Sequence, residues 1–314
     1  MSSAPVERDD AIRAEAVIET HGLSKSFGHA VALRDLDLTL ARGEVFGYLG
    51  PNGAGKTTTL RLLMGLLRPT RGSARVCGYD VWHESTSVRR HVGFLPGEPA
   101  LYPTLTGLQH VDYLSHLRGA DPYPRALVLA ERLDLDLDTP SRDLSKGNRQ
   151  KLAVVLALMP QTRVLVLDEP TSGLDPLAQQ ELHTLMREHV DGGGTVLLSS
   201  HVLGEVQRVA DRVGLLRKGR LVAVDRLDAL RARSLHHVHA TFDAPVPVAA
   251  FAGIDGVREL SVVDHTLTCA APEASLDRIV KALGQFPLRD LTCTEAELEE
   301  TFLAYYGRGE DDAA

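Results

Sequence analysis

The sequence predicts an α/β fold built around a parallel sheet, and three observations lead to this prediction. An apolar stretch over Glu44–Leu49 runs directly into a glycine-rich loop, and a helical pattern follows that loop. Two more apolar runs, Val164–Leu167 and Thr195–Ser200, are short and lack alternation, as is usual for central parallel strands. Helical stretches separate these runs, and such alternation is typical of a parallel sheet covered by helices.

Size and composition limit the class of protein. A chain of 314 residues suits one large domain or two unequal ones. The net charge of -8 argues against broad nucleic-acid binding, which usually needs a basic surface. The three cysteines are scattered, which fits a reducing compartment. No apolar run approaches the roughly 20 residues that span a bilayer, so we expect another chain to supply any membrane-spanning part.

The elements of the first 229 residues follow from periodicity and turn signals. Residues 1–15 are polar and charged, and we expect a disordered tail there. Two stretches that alternate apolar with polar residues predict half-buried antiparallel strands, residues 105–157 predict mostly helix, and residues 211–224 predict a terminal hairpin. The two antiparallel strands are Ala16–Leu23 and Ala32–Leu40, and the single helices are Lys56–Leu67, Leu177–His189 and Val202–Ala210.

The composition changes after about residue 230, and residues 230–308 predict a small α+β accessory domain with a ferredoxin-like order of elements as the candidate. Thr294 and Glu297 form a potential capping box for its last helix. Residues 309–314 are expected to be an acidic tail. The predicted strands are Val238–Phe242, Val257–Val263, Thr266–Ala271 and Leu288–Cys293, and the predicted helices are Val246–Ala252, Leu276–Phe286 and Ala296–Tyr306.

The glycine-rich loop matches the pattern G-x-x-x-x-G-K-[ST], which binds phosphate groups. Its glycines allow backbone N–H groups to turn toward an anion, and the next helix directs its positive end at the same place. Lys56 is expected to contact the β- and γ-phosphates, and Thr57 to ligate Mg²⁺. The alternative is a glycine-rich turn with a chance lysine, which the strand–loop–helix context disfavours. The predicted nucleotide-binding residues are Gly50, Pro51, Asn52, Gly53, Ala54, Gly55, Lys56, Thr57 and Thr58.

Two acids follow the apolar run Val164–Leu167. Asp168 is expected at the carboxyl end of its strand, where ligands bind in open α/β sheets, and it could hold Mg²⁺ there. Glu169 points to the other face of the strand and is free to polarise a water molecule as general base. A solvated acid pair at a strand end is the alternative. His201 is a candidate contact for the γ-phosphate, although its position alone is equally compatible with a structural histidine.

In this order the motifs resemble those of the nucleotide-binding domains of ABC ATPases, over about residues 16–229. Leu144–Asn148 resembles the ABC signature, which separates this family from kinases, GTPases and helicases with a similar phosphate loop. Ser172–Asp175 resembles the D-loop, and His201 the switch histidine. Phe27 stands where the family stacks an aromatic ring on adenine, with a strand-core ring as the alternative. The resemblance implies a P-loop NTPase core of ABC type with an antiparallel β subdomain and a helical subdomain.

The resemblance also implies a mechanism and partners. Two copies would sandwich two ATP molecules, and the signature of one copy would face the γ-phosphate held by the other. A separately encoded transmembrane permease would dock on the helical region, with this chain on the cytoplasmic face of the plasma membrane and no nucleic-acid partner. Beyond the loop and Phe27, the implied residues are Glu169, His201 and Lys56 for catalysis, Ser145, Gly147 and Asp175 for ATP, and Thr57 and Asp168 for Mg²⁺.

Several residues depart from the family pattern. Gly97 stands where the family usually has a glutamine that contacts Mg²⁺ and the attacking water, and we expect Glu98 or a water molecule to compensate. In the signature, Lys146 replaces a usual glycine and Asn148 a usual glutamine. With the stretch Leu298–Leu303, these variations resemble exporters of the ABC-2 class, and drug and polyketide-antibiotic efflux ATPases in particular.

Two other functions remain as alternatives. A soluble ABC ATPase that acts on nucleic acid or ribosomes usually has two cassettes in one chain or a long coiled coil. This chain has one cassette, no coiled-coil pattern and a negative net charge. A regulatory protein that binds ATP without hydrolysing it would have no need of Glu169. The sequence therefore favours the ATP-hydrolysing subunit of a transporter.

Overall fold

The computed structural model describes residues 16–118, 123–229 and 235–295, and it divides into two compact units between Val224 and Asp225. This boundary lies five residues before the predicted one, which follows residue 229. The predicted tails at residues 1–15 and 309–314 lie outside the described residues. The same is true of the predicted helix Ala296–Tyr306 and of Glu297 in its capping box.

The first unit contains an antiparallel sheet, a mostly parallel sheet and helices that pack against them. In chain order its elements are β1 (Ala16–Phe27), β2 (Ala30–Ala41), β3 (Val45–Leu49), α1 (Lys56–Leu63), β4 (Arg71–Val76), β5 (Tyr79–Asp80), α2 (Ser85–His91), β6 (Val92–Leu95), α3 (Gly107–Arg118), α4 (Tyr123–Arg132), α5 (Lys146–Leu158), β7 (Val164–Asp168), α6 (Pro176–Asp191), β8 (Thr195–Ser200), α7 (Leu203–Val206), β9 (Arg212–Arg217) and β10 (Arg220–Arg226).

The antiparallel sheet has the strand order β2-β1-β4-β5. β1 pairs antiparallel with β2, and Ile18 lies opposite Leu40 in this pairing. Both side chains are fully buried, and they belong to the hydrophobic core of the first unit. The alternation of apolar and polar residues therefore predicted these two strands correctly, because one face of each strand is buried and the other is not.

The second sheet has the order β10-β9-β3-β8-β7-β6. Strands β9, β3, β8, β7 and β6 pair in parallel, and every residue of β3, β7 and β8 is buried. Leu49 lies opposite Ser200, and Asp168 lies opposite Ser199. The carboxyl ends of three adjacent strands thus meet at one edge of the sheet. The segments that follow them are the phosphate loop, Glu169 and His201.

Two helices of the first unit are shorter than predicted. α1 ends at Leu63 because Gly65 takes a left-handed φ of 63°, and the Leu66 N–H donates to the Arg61 carbonyl at 2.9 Å. α7 ends at Val206, and the chain then tightens into a turn in which the Val209 N–H donates to the Val206 carbonyl three residues back, at 3.1 Å. In the part of the chain that is described, no helix combines the length and the apolar character needed to cross a lipid bilayer.

Over residues 235–295 the second unit forms a four-stranded antiparallel sheet with helices packed against it. Its elements are β11 (Leu235–Phe242), α8 (Ala249–Ala252), β12 (Arg258–Val263), β13 (Thr266–Pro272), α9 (Glu273–Leu283) and β14 (Leu288–Glu295). The sheet order is β12-β13-β11-β14, so the chain runs in the β-α-β-β-α-β order of ferredoxin-like folds. Val238 on the central strand β11 lies between Cys269 of β13 and Cys293 of β14.

The two helices within residues 235–295 differ in extent from the prediction. α8 has a single turn, and α9 begins at Glu273, three residues before the predicted start, directly after β13. Phe242, Phe251 and Leu267 fill a core that is separate from that of the first unit.

Candidate functional site

The phosphate loop turns between β3 and the first residue of α1. Gly55 has a φ of 111°, and a Cβ atom at this position would lie 2.4 Å from the Ala32 carbonyl oxygen, so only glycine fits. Pro51, Asn52 and Gly53 are exposed at the tip of the loop, whereas Ala54 is buried. The tip therefore presents its backbone outward, at the N-terminus of a helix, as a phosphate ligand requires.

Lys56 connects this loop to the strand that carries the acids. Its ammonium group is buried, and it donates to the Gly50 carbonyl at 2.5 Å. The same nitrogen lies 3.3 Å from Glu169 Oε1. The other oxygen of that carboxylate, Oε2, lies 2.8 Å from His201 Nδ1. One glutamate thus joins the lysine of the phosphate loop to the histidine at the end of β8.

Asp168 lies on the floor of the site. It is 2% exposed, and its Oδ1 accepts a hydrogen bond from the Ser199 hydroxyl at 2.6 Å. Thr57, in the first turn of α1, is exposed. A buried carboxylate and a hydroxyl beside a phosphate loop are hard oxygen donors, which are the ligand type that Mg²⁺ prefers. These residues fit a magnesium ion bound together with a nucleotide.

Glu169 has an unusual backbone conformation. Its φ is 48°, in the left-handed region that residues other than glycine rarely adopt. Such a conformation costs about 1–3 kcal/mol and persists only when its surroundings hold it. The Glu169 N–H donates to both the carbonyl and the hydroxyl of Ser199, at 3.2 and 3.1 Å. The Ser199 hydroxyl therefore orients both acids, because it also donates to Asp168.

Gly97 lies directly against the Asp168 carboxylate. A Cβ atom at residue 97 would be 3.3 Å from Asp168 Oδ2. The loop after β6 therefore passes where the sequence predicts a contact with the metal site, although Gly97 itself has no side chain to make that contact. Glu98 is exposed and has no hydrogen bond to another residue that the structure describes.

The signature segment lies at the N-terminus of α5. Ser145 is the N-cap of this helix, and its hydroxyl accepts from the Asn148 N–H at 3.1 Å. A Cβ atom on Gly147 would lie 2.9 Å from the Gly173 carbonyl oxygen, so the signature packs closely on the segment after Glu169. The Gln150 side chain is buried and donates to the Pro170 carbonyl at 3.0 Å. Signature helix and acid-bearing segment thus support each other within one chain.

Two further predicted ATP-binding residues lie at the ends of elements, Asp175 at the start of α6 and Phe27 at the end of β1. Asp175 is the N-cap of α6, and the hydrogen bond from the Ala178 N–H, assisted by Lys151, lowers the pKa of its carboxyl. Phe27 ends β1 and is 50% exposed, and the Lys25 ammonium lies 4.9 Å from the centre of its ring. The ring is therefore available at the surface rather than packed in the sheet core.

The sequence that forms the site is similar to that of known proteins. Residues 33–172 match the family of ABC transporters. The daunorubicin resistance ATP-binding protein DrrA3 of Streptomyces coeruleorubidus is 42% identical over 70% of this chain and 72% of its own length. The chain belongs to the ABC transporter ATP-binding family. The daunorubicin/doxorubicin resistance ATP-binding protein of Streptomyces peucetius is 32% identical over 94% of both chains.

Solved structures of ABC proteins resemble about two thirds of the chain. The ATP-binding subunit of an ABC transporter is 33% identical, with a TM-score of 0.65 over 69% of this chain and 92% of that chain. A bacterial ABC transporter cassette solved as a dimer is 25% identical, with a TM-score of 0.63 over 67% of this chain and 98% of that chain. The predicted family, the ABC-type fold and the ATPase class are thereby confirmed.

Sequence reasoning missed several residues that organise the site of this ABC protein. Ser199 orients Asp168 and Glu169, and Gln150 ties the signature helix to Pro170. Glu205 accepts hydrogen bonds from the Thr171 and Ser200 hydroxyls, at 2.7 and 3.0 Å. A signal was present for the serines, since polar residues that end a wholly buried strand need partners. No local pattern marks Glu205, because its partner Thr171 is 34 residues away in the sequence.

Proposed function

We propose that this ABC ATPase powers the export of a drug-like or antibiotic-like compound through a separate transmembrane permease, from the cytoplasmic face of the plasma membrane. The two Streptomyces relatives are named for resistance to daunorubicin, and the similarity to one of them extends over 94% of this chain. The second unit is thus included in the resemblance. Export of a compound of this class is the function that these relatives support best.

We further propose that two copies of the chain bind two ATP molecules between them. In this arrangement the phosphate loop of one copy holds the triphosphate, and Ser145 and Gly147 of the other copy approach the γ-phosphate. The N-terminus of α5 is suited to this role, because it carries a partial positive charge and free backbone N–H groups. The dimeric cassette of similar fold supports this proposal.

Each of the chemical groups at the site then has a defined role in hydrolysis. Lys56 binds the β- and γ-phosphates, while Thr57 and Asp168 hold Mg²⁺, which supplies charge neutralisation to the phosphates when it is bound. Glu169 accepts a proton from the attacking water, and His201 orients Glu169 through the 2.8 Å contact between Nδ1 and Oε2. Thr58, Asp175 and Phe27 complete the proposed nucleotide site.

The observation that carries this assignment is the position of Glu169 between Lys56 and His201, at 3.3 and 2.8 Å. A carboxylate held there is beside the phosphate loop and is oriented by a histidine. We expect Glu169→Gln to lower kcat for ATP hydrolysis by about 10²–10⁴-fold, because an amide cannot accept the proton. Binding of ATP should be retained, since Lys56 and the loop are unchanged.

The test compares purified wild-type protein with Glu169→Gln in phosphate release and in ATP binding. Glu131→Gln, an exposed position on α4, removes the same charge far from the loop in sequence and serves as the control. We expect the control to hydrolyse ATP at the wild-type rate. Hydrolysis by Glu169→Gln at the wild-type rate would remove Glu169 from the role of general base.

A further inference from the structure

We propose that Glu205 is a positioning residue for ATP hydrolysis, which holds the segment of Glu169 and the segment of His201 at a fixed separation. One oxygen of its carboxylate, Oε2, accepts two hydrogen bonds. The Thr171 hydroxyl donates at 2.7 Å and the Ser200 hydroxyl donates at 3.0 Å. Glu205 lies on α7, so a single atom on a third element joins two strand ends.

The two donors are close in sequence to the residues that perform the chemistry. Thr171 lies two positions after Glu169, and Ser200 immediately precedes His201. Both donors are buried, with relative exposures of 5% and 0%. The separation of the two backbones at these points determines whether Glu169 Oε2 and His201 Nδ1 can meet at 2.8 Å. Glu205 therefore acts on the reaction through Glu169 and His201, without contacting the phosphate itself.

The segment after Glu169 needs such a support. Glu169 is in the left-handed region with a φ of 48°, and Ser199 restrains it only on its N–H side. On the carbonyl side the chain turns at once, as the Ser172 N–H donates back to the Glu169 carbonyl at 3.1 Å. Thr171 lies inside this turn. The bond to Glu205 thus restrains the strained turn from the side that Ser199 does not reach.

Loss of the Glu205 carboxylate would change the His201 side as well. The Ser200 hydroxyl has a second acceptor nearby, the Val202 carbonyl at 3.3 Å. Without the Glu205 carboxylate, the Ser200 hydroxyl can donate to the Val202 carbonyl instead, whereas the buried Thr171 hydroxyl loses its hydrogen bond to Glu205. A buried hydroxyl without a partner is unfavourable, because it has lost its contact with water and gained no hydrogen bond in exchange, and this favours movement of the Thr171 turn toward solvent. The two segments would then be free to move relative to each other.

The inference rests on the proposed roles of Glu169 and His201, and it is tested on the purified full-length chain. We expect Glu205→Leu to lower kcat for ATP hydrolysis about 10- to 100-fold, since displacements near 1 Å have effects of this size. The affinity for ATP should change less than about twofold, because the phosphate loop is not involved. Glu205→Gln should restore most of kcat, because an amide oxygen can accept both hydroxyl bonds.

A second pair of variants keeps the test valid if Glu205→Leu does not fold. Thr171→Val removes only the hydroxyl, and Thr171→Ser keeps it as the matched control. We expect Thr171→Val to lower kcat in the same direction as Glu205→Leu, and Thr171→Ser to resemble the wild type. Equal kcat values for Thr171→Val and Thr171→Ser would overturn the proposal.

A double-mutant cycle separates positioning from a general loss of structure. In a His201→Ala background Glu169 has no histidine to contact, so the separation of the two segments no longer affects the reaction. Glu205→Leu should therefore lower kcat by less than about twofold in that background. If Glu205→Leu lowers kcat by the same factor in both backgrounds and also lowers the unfolding midpoint, Glu205 has a structural role and the proposal is overturned. A wild-type kcat for Glu169→Gln is a different result, which would refute the proposed mechanism itself.

Discussion

At the scale of single residues, Gly97 raises the question of what contacts the metal side of Asp168. The Cβ atom of a side chain at residue 97 would lie 3.3 Å from Asp168 Oδ2, so this position faces the proposed magnesium ligand directly. Glycine leaves space there for a water molecule or for a neighbouring side chain. Glu98 is the next residue, and its carboxylate is exposed and able to rotate.

Glu98 is the expected substitute for the side chain that is missing at residue 97. Two carboxylates repel each other, so Glu98 can approach Asp168 only when a cation lies between them. We therefore expect Glu98→Ala to raise the Mg²⁺ concentration that gives half-maximal ATPase activity, and to lower kcat by about tenfold or less. The measurement is a Mg²⁺ titration of phosphate release, with Glu131→Ala as the control. An unchanged Mg²⁺ dependence would show that Glu98 does not replace the missing side chain.

At the scale of elements, α6 carries two histidines whose environment disfavours charge. Burial lowers the pKa of His183, and Arg208 lowers it further while Glu205 raises it. Burial also lowers the pKa of His189, with a further decrease from Arg125. His189 Nε2 is buried and has no hydrogen-bond partner among the described residues. Backbone hydrogen bonds at Thr195 and Arg163 raise the pKa of His189, but they do not cancel the decrease caused by burial.

The stability of the first unit should depend on pH through this helix. A histidine with a lowered pKa in the folded state favours folding above its unfolded pKa of about 6.5, and this contribution is lost as pH falls below that value. We expect a lower urea midpoint at pH 5.5 than at pH 7.5 for the wild type. The difference should be smaller for His189→Gln. An equal difference in both proteins would show that His189 does not contribute.

The lengths of the helices show where sequence reasoning was incomplete. Periodicity and flanking signals placed α1 and α7 correctly, but both helices end several residues earlier than predicted. Gly65 ends α1 through its left-handed conformation, in which a Cβ atom would lie 2.2 Å from the Val81 carbonyl oxygen. That contact joins residues distant in sequence. A local pattern therefore contained the glycine, but not the neighbour that makes it necessary.

The candidate site was more predictable than the helix ends. Gly50, Lys56, Asp168 and Glu169 follow from a loop pattern and from the rule that parallel strands present their carboxyl ends at one edge. Contacts such as that of Glu205 with Thr171 depend on which strands are neighbours in the sheet. Strand order is a property of the whole fold, and a single sequence contains no local signal for it.

At the scale of the whole molecule, the two units have separate hydrophobic cores. Phe46 is fully buried in the first unit, and Phe242 is 1% exposed in the second. The Phe242 ring packs edge-on against Phe286, with their centres 6.1 Å apart. Separate cores can unfold separately, so the all-or-none transition that is usual for a small domain is not expected for the complete chain.

Calorimetry tests this expectation. Removing a buried phenylalanine ring costs about 3–5 kcal/mol. We expect Phe242→Ala to lower the midpoint of one thermal transition and to leave ATP hydrolysis within about twofold of the wild type. Phe46→Ala, the matched change in the other core, should lower a different transition. A shift of one common transition by both variants would show that the units unfold as one.

The sheet of the second unit also determines how the two cysteines of that unit can react. Cys269 and Cys293 lie on strands that flank β11, so they are two strand spacings apart, about 9–10 Å. A disulfide bond needs Cα atoms within about 7 Å, so oxidation cannot join these two cysteines without breaking the sheet. Burial raises the pKa of the Cys269 and Cys77 thiols, whereas Cys293 is exposed. A maleimide fluorophore should therefore label Cys293 first and report on the second unit from its edge strand.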